Sequence, residues 1–168
     1  VTYTVRKAGA EFKIKFRDNR EFTFNSDGFL ARKQDAFGNS LTFAYGDPAN
    51  PDRITAISDI LGRSLTLSYN AGGRIERISD FTGRSCTYGY NGDDLVSFTD
   101  LENNTTTFSY LSGQANPENN HNMDRYTLPE GDYLEIGYYG SDQVSYHRNK
   151  NGETFNFFYS ILNRYGET

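Results

Sequence analysis

Four aspartates recur at one place in a repeated phrase: Asp35, Asp59, Asp80 and Asp100. Glycine follows three residues later in the first three, at Gly38, Gly62 and Gly83, and arginine follows two of those glycines, at Arg63 and Arg84. A row of carboxylates can bind Ca²⁺, which takes six to eight oxygen ligands. An Asp three residues before a Gly is also the natural cap of a tight turn, its oxygen accepting nearby backbone N–H groups. The fixed Asp-to-Gly spacing favours the cap over the metal, so no metal site is assigned. The arginines then suit a ladder of alternating charge between neighbouring hairpins. At a surface such pairs are worth under about 1 kcal/mol each.

The remaining reactive residues are few. Cys86 is the only cysteine. Its column in the repeat holds Leu41, Leu65, Thr106, Leu134 and Phe155, which places it on an apolar face as a small hydrophobe rather than a nucleophile. His121 lies in a polar stretch with Glu118 and Asp124, and His147 on a strand beside Tyr146. The spaced motifs of zinc sites are missing, as is a nucleophile elbow. No catalytic residue and no cofactor is assigned, and the chain is expected not to be an enzyme.

The elements that position these residues form a repeat. "DAFGNSLTFAY" ends at Tyr45, "DILGRSLTLSY" at Tyr69, "DFTGRSCTYGY" at Tyr90 and "DLENNTTTFSY" at Tyr110. "LPEGDYLEIGY", with Gly131, ends at Tyr138, and "NKNGETFNFFY", with Gly152, ends at Tyr159. A degenerate copy, "RDNREFTF", precedes them. The unit is about 20 or 21 residues, with insertions at 46–53 and 112–125. In each second half, apolar and small polar residues alternate, as in Leu65, Leu67 and Tyr69 against Ser64, Thr66 and Ser68. That is a strand with one buried face. In the first halves the apolar residues sit three apart, Ile54 to Ile57 and Ile75 to Ile78, which predicts a bulge or a strong twist. Each unit is a β-hairpin. The fold class is all-β: tandem antiparallel hairpins in a twisted, spiralling sheet, with no helix required.

Composition agrees. The 168 residues suit one domain over 1–168. Mean hydropathy is low, at −0.73, but 13 Tyr and 13 Phe can bury a large apolar area. The net charge of −5, with scattered Lys and Arg, argues against nucleic acid as a partner. No apolar run reaches the roughly 20 residues of a membrane-spanning helix, and no signal peptide opens the chain. The sequence begins and ends in mid-pattern, as a piece of a longer array would.

The pattern G-x-[IL]-x-x-[IVF]-x-D-x-x-G-R-x-x-x-x-x-Y resembles the YD repeat, also called the Rhs repeat. "GRIERISDFTGRSCTYGY" (73–90) and "RITAISDILGRSLTLSY" (53–69) carry it best, and the resemblance spans roughly 11 to 159. Asn103-Asn104 stands in place of Gly-Arg, and the copies ending at Tyr138 and Tyr159 lack the Asp. The resemblance implies a long sheet that winds into a hollow shell, which in bacterial toxins of this type holds a cytotoxic C-terminal segment. It implies as partners the flanking repeats and an enclosed C-terminal segment of the same polypeptide, and a secreted or cell-surface location without membrane insertion. The self-cleaving D-P-x-G motif of such shells is not matched by Asp47-Pro48, where Ala-Asn follows, and 46–53 is expected to be a surface loop. The alternative is an extracellular repeat module for adhesion, binding glycans or cell-surface proteins. Its candidates are Tyr139, Tyr146 and Phe158, with hydrogen-bond donors from 116–122.

Overall fold

Period-two alternation, punctuated by Gly, Asn and Asp, dictates strands joined by tight turns. A computed structural model has that form, and it describes residues 3–159. Contact density divides the chain into two units, 1–87 and 88–168. The first holds β1 (Tyr3–Ala8), β2 (Glu11–Phe16), β3 (Glu21–Phe24), β4 (Leu30–Gln34), β5 (Ser40–Asp47), β6 (Asn50–Asp59), β7 (Ser64–Tyr69), β8 (Ile75–Ser79) and the start of β9 (Ser85–Asn91). The second holds the rest of β9, then β10 (Asp94–Thr99), β11 (Thr105–Tyr110), β12 (Met123–Thr127), β13 (Tyr133–Tyr138), β14 (Val144–Asn149) and β15 (Thr154–Asn156). Strand order follows sequence order from β1 to β15, each strand bonded to the next. All fifteen are antiparallel neighbours of a hairpin array, and the only helical turn described is a 3₁₀ turn at Pro117–Asn119.

Register explains the two faces, because directly opposed residues of an antiparallel pair point the same way. In the first unit Phe43 opposes Ile57 and Ile57 opposes Leu65, while Leu67 opposes Ile78 and Ile78 opposes Cys86. In the second, Phe108 opposes Tyr126, Tyr126 opposes Leu134, and Ile136 opposes His147. The other face is hydroxylic and charged, with Thr42 against Ser58 and Ser58 against Ser64.

The expected bulge recurs at one place in the hairpin. Tyr45 pairs with Ile54 while Ala44 pairs with Ala56, so Thr55 is the extra residue. Ala31, Glu76, Asp124 and Ser145 are the extra residues on β4, β8, β12 and β14. An extra residue resets the alternation, which is why Ile75 and Ile78 share a face three residues apart.

Three sequence expectations are corrected. Residues 46–53 are not a loop between hairpins: 46–47 end β5, 50–53 begin β6, and Asp47 opposes Asn50 across Pro48-Ala49. In the second insertion, residues 123–125 belong to β12. The apolar face is not buried. Among the described residues no hydrophobic side chain is buried, and Leu41 and Leu65 are exposed. Only Thr23 and Asn119 are buried.

Candidate functional site

The aspartates work within their own turns. In 59–63 the Asp59 N–H donates to the Arg63 carbonyl at 3.0 Å, and the Gly62 N–H to the Asp59 carbonyl at 3.1 Å. This is a three-residue hairpin loop, a type I turn closed by a left-handed residue. Asp59 Oδ1 accepts from the Leu61 and Arg63 N–H groups at 2.9 and 3.0 Å. Asp35, Asp80 and Asp100 each accept the N–H two and four residues on in the same way, at 2.8–3.1 Å. Both oxygens of each of these aspartates accept within their own turn, and no group of three His, Cys, Asp or Glu that could hold a metal occurs among the described residues.

The arginines do not form a charge ladder between neighbouring hairpins, and what Arg63 meets in the next turn is the Phe81 ring, 6.0 Å from its guanidinium. Arg63 Nε donates to Asp59 Oδ2 at 2.6 Å and Arg84 Nε to Asp80 Oδ2 at 2.9 Å, each inside its own turn. In the first and fourth copies Asn39 and Asn104 donate Nδ2 to the same second oxygen, at 2.7 and 3.1 Å. Arginine and asparagine are therefore interchangeable donors to one carboxylate oxygen. These donors hold the carboxyls below the ordinary carboxylate range. The cause is chiefly the Asn39 side chain for Asp35, that of Arg63 for Asp59 and that of Asn104 for Asp100. Asp80 is lowered to about 2, with the Thr82 hydroxyl as the largest cause.

Sequence reading missed that both rims share this turn. Ten turns among the described residues close with the same pair of backbone bonds, including 25–29, 70–74 and 139–143 on the opposite rim and 16–20 on the rim of the aspartates. Asn25 and Asn149 cap two N–H groups each, as the aspartates do. At 128–132 a leucine takes the Asp place, and Gly131 still donates to the Leu128 carbonyl at 2.9 Å. Gly152 donates to the Asn149 carbonyl at 3.0 Å.

The tyrosines have a polar role that their apolar column concealed. Tyr45, Tyr69, Tyr110 and Tyr138 donate their hydroxyls to the carbonyls of Leu30, Ile54, Leu95 and Met123 at 3.0, 2.7, 2.9 and 2.9 Å. Each acceptor lies 15 residues upstream. The β6–β7 ladder ends at Ala56 and Thr66, two residues short of Ile54, and the other three ladders stop equally short. Where the bulge splays the strands, the phenol closes the stranded carbonyl. Tyr90 stands 15 residues after Ile75 in the same phase. Tyr159 lies past β15, and its ring meets that of Tyr139 edge-on at 6.3 Å.

The residues considered for chemistry are dispersed. Cys86 is half-buried opposite Ile78. His121 Nδ1 lies 2.9 Å from Asp94 Oδ2, 27 residues upstream, rather than against Glu118 or Asp124. His147 packs edge-on to Phe157 at 4.9 Å. The asparagines of 116–122 serve their own fold: Asn116 and Asn119 donate Nδ2 to the Gly140 and Tyr139 carbonyls at 2.6 and 3.0 Å, and Asn122 donates to Asp142. Of the candidate aromatics, Tyr146 lies on the polar face over Gly137, where a Cβ would come within 2.0 Å of the ring. Arg148 stands 5.6 Å from that ring. Tyr139 donates its hydroxyl to the Phe157 carbonyl at 2.8 Å, and Phe158 is 86% exposed. No helix of the described residues is long and apolar enough to cross a membrane, which says nothing of a β-barrel.

No protein-family model and no curated protein matches the chain. Among solved structures it is similar to TcdB2-TccC3 without its hypervariable C-terminal region, at 14% identity and a TM-score of 0.43, over 92% of this chain and 8% of that one. A second is TcdB2-TccC3-TEV, at 15% identity and a TM-score of 0.41, over 86% and 8%. A third is a porin-like protein from Bacteroides uniformis, at 18% identity and a TM-score of 0.32, over 88% and 52%. The chain spans about 8% of the length of the TcdB2-TccC3 chains it matches.

Proposed function

We propose that this chain is a structural stretch of a YD- or Rhs-type repeat array, a segment of wall in an exported protein that encloses a C-terminal segment of the same polypeptide. One observation carries the proposal. The recurrent Asp, Asn, Gly and Tyr residues are spent on the chain's own backbone, while its apolar face is left uncovered among the described residues. A sheet that is apolar on one face must cover that face. An array of this kind takes its cover from flanking repeats and from what it encloses. Repeat arrays need only neighbour contacts to propagate, and such a wall needs no reacting groups of its own. The segment is therefore non-enzymatic, takes no cofactor, and works outside the cell or at its surface as part of its parent.

The test uses the parent protein. Excising two whole units, residues 59–100, removes the strands and turns of that stretch of wall and joins Ser58 to Leu101. The enclosed segment is then expected to be cut by added protease at a dose the intact parent withstands. A parent that protects its C-terminal segment equally well after excision overturns the proposal. The intact mass of this chain, followed over long incubation, is expected to stay at 19.1 kDa, since no self-cleaving D-P-x-G motif is present in it.

A further inference from the structure

The two variable residues of each D-x-x-G turn reach into solvent, and in the first unit four of the six, Phe37, Ile60, Leu61 and Phe81, are large and apolar. Phe37 is 91% exposed, Leu61 74% and Ile60 56%. The turn does not require an apolar residue there: Thr82, whose hydroxyl bonds Asp80, and Glu102 fill one of these positions in later copies. Beside Phe37 lies an open groove of about 520 Å³. Leu41, Ile60 and Leu61 give it apolar walls, and Asp35 and Lys33 stand at its margin. One turn thus projects a ring, and the next turn supplies a hole large enough for such a ring.

We propose that two copies of this chain pair about a two-fold axis, the Phe37 ring of each entering the groove of the other. Three observations select a second copy as the occupant. Knob and hole are adjacent on one surface, so a two-fold operation satisfies both at once, as an isologous interface requires. Asp35 and Lys33 form no ion pair within the chain among the described residues, and the exchange sets each against its opposite on the partner. The area is sufficient for a weak complex. An aromatic side chain alone carries roughly 150–250 Å², and Phe37 with Ile60 and Leu61 from both copies brings the total near the ~1,000 Å² at which specific interfaces begin. An interface at that lower limit is expected to hold in the micromolar range.

Sedimentation velocity over about 5–500 µM spans that range. The wild-type mass is expected to rise from 19.1 kDa toward twice that value. Phe37→Asp and Leu61→Asp, on opposite sides of the proposed contact, are each expected to hold the chain at the monomer mass with an unchanged far-ultraviolet circular dichroism spectrum. The chain has no tryptophan, so Phe37→Trp provides a second readout. Its emission is expected to move to shorter wavelength as concentration rises. A wild-type chain that stays monomeric throughout overturns the proposal. So does a Phe37→Asp chain that associates as strongly as wild type, which would point to the free edges of β1 and β15 instead. An emission maximum that stays at its solvent-exposed position while the mass doubles overturns it as well.

Discussion

At the residue scale, the repeated side chains act as substitutes for missing backbone partners. The tyrosine hydroxyl is the clearest case, because four tyrosines reach a carbonyl 15 residues upstream just past the end of a ladder. Tyr69→Phe removes that bond and nothing else. It is expected to lower stability by about 0.5–1.5 kcal/mol, the net worth of one such bond, as read by urea denaturation. Tyr69→Ala is expected to lose roughly 2 kcal/mol, below the 3–5 kcal/mol of a fully buried aromatic, since the ring is only half-buried. Equal stability of Tyr69→Phe and wild type would mean that water serves the Ile54 carbonyl as well as the phenol does. The capping aspartates make a second case, read through pH. Their folded-state pKa values lie below the ordinary carboxylate value of about 3.9. Their contribution is therefore present above that value and is lost as pH falls through the folded-state value, about 2 for Asp80. Stability is expected to decline between pH 5 and pH 2. In Asp80→Asn it is expected to decline less, because an amide caps the same turn without titrating, as Asn25 and Asn149 do. Equal declines in the two proteins would rule out Asp80 as a titrating cap.

At the element scale, one loop geometry recurs at ten turns, and its demand falls on a single left-handed residue. That residue is Gly62 at φ 80°, Gly83 at 89° and Gly152 at 84°, but Asn19 and Asn103 hold the place at 66° and Asp142 at 65°. A Cβ at Gly62 would meet nothing within 4 Å, so any penalty there comes from the backbone alone. Gly62→Ala is expected to cost about 1–2 kcal/mol. Gly62→Asn is expected to cost within about 0.5 kcal/mol, the size of an ordinary surface change. Equal losses in denaturation would show that the site is tighter than its open surroundings indicate. The strands and turns were legible in the sequence because period two, Gly and Asx residues are local signals. So was the bulge, since three-residue spacing of Ile75 and Ile78 admits few other strands. The pairing of His121 with Asp94 was not legible, because 27 residues separate them and no local pattern joins them. Residues 46–53 were misread for a related reason. Gly and Pro suggest a loop, yet register with β5 extends β6 back to Asn50. The arginine ladder failed because a donor four residues after its Asp reaches back across its own turn before it can reach a neighbour's.

At the scale of the whole molecule, what the alternation pattern could not report is what lies opposite the apolar face. Alternation states only that one face is apolar, and the inference to burial assumes a covering layer. Within the described residues no hydrophobic side chain is buried, and Phe155 is 67% exposed in the second unit as Leu65 is 44% exposed in the first. The described residues are thus held by backbone pairing, turn caps and partial contacts along the sheet rather than by a core of their own. Heat capacity tests this directly, because the heat-capacity change on unfolding follows the apolar surface newly exposed. A core-bearing protein of 168 residues would show about 2.0–2.5 kcal/mol/K at 12–15 cal/mol/K per residue. Calorimetry of this chain at low concentration is expected to give a clearly smaller value. The native chain is also expected to bind a dye specific for exposed apolar surface, and to bind less of it as concentration rises if copies pair. A heat-capacity change at or above the core-bearing value, with no dye bound, would mean that the apolar face is already covered in the isolated chain. The wall would then need no neighbouring repeats to complete it.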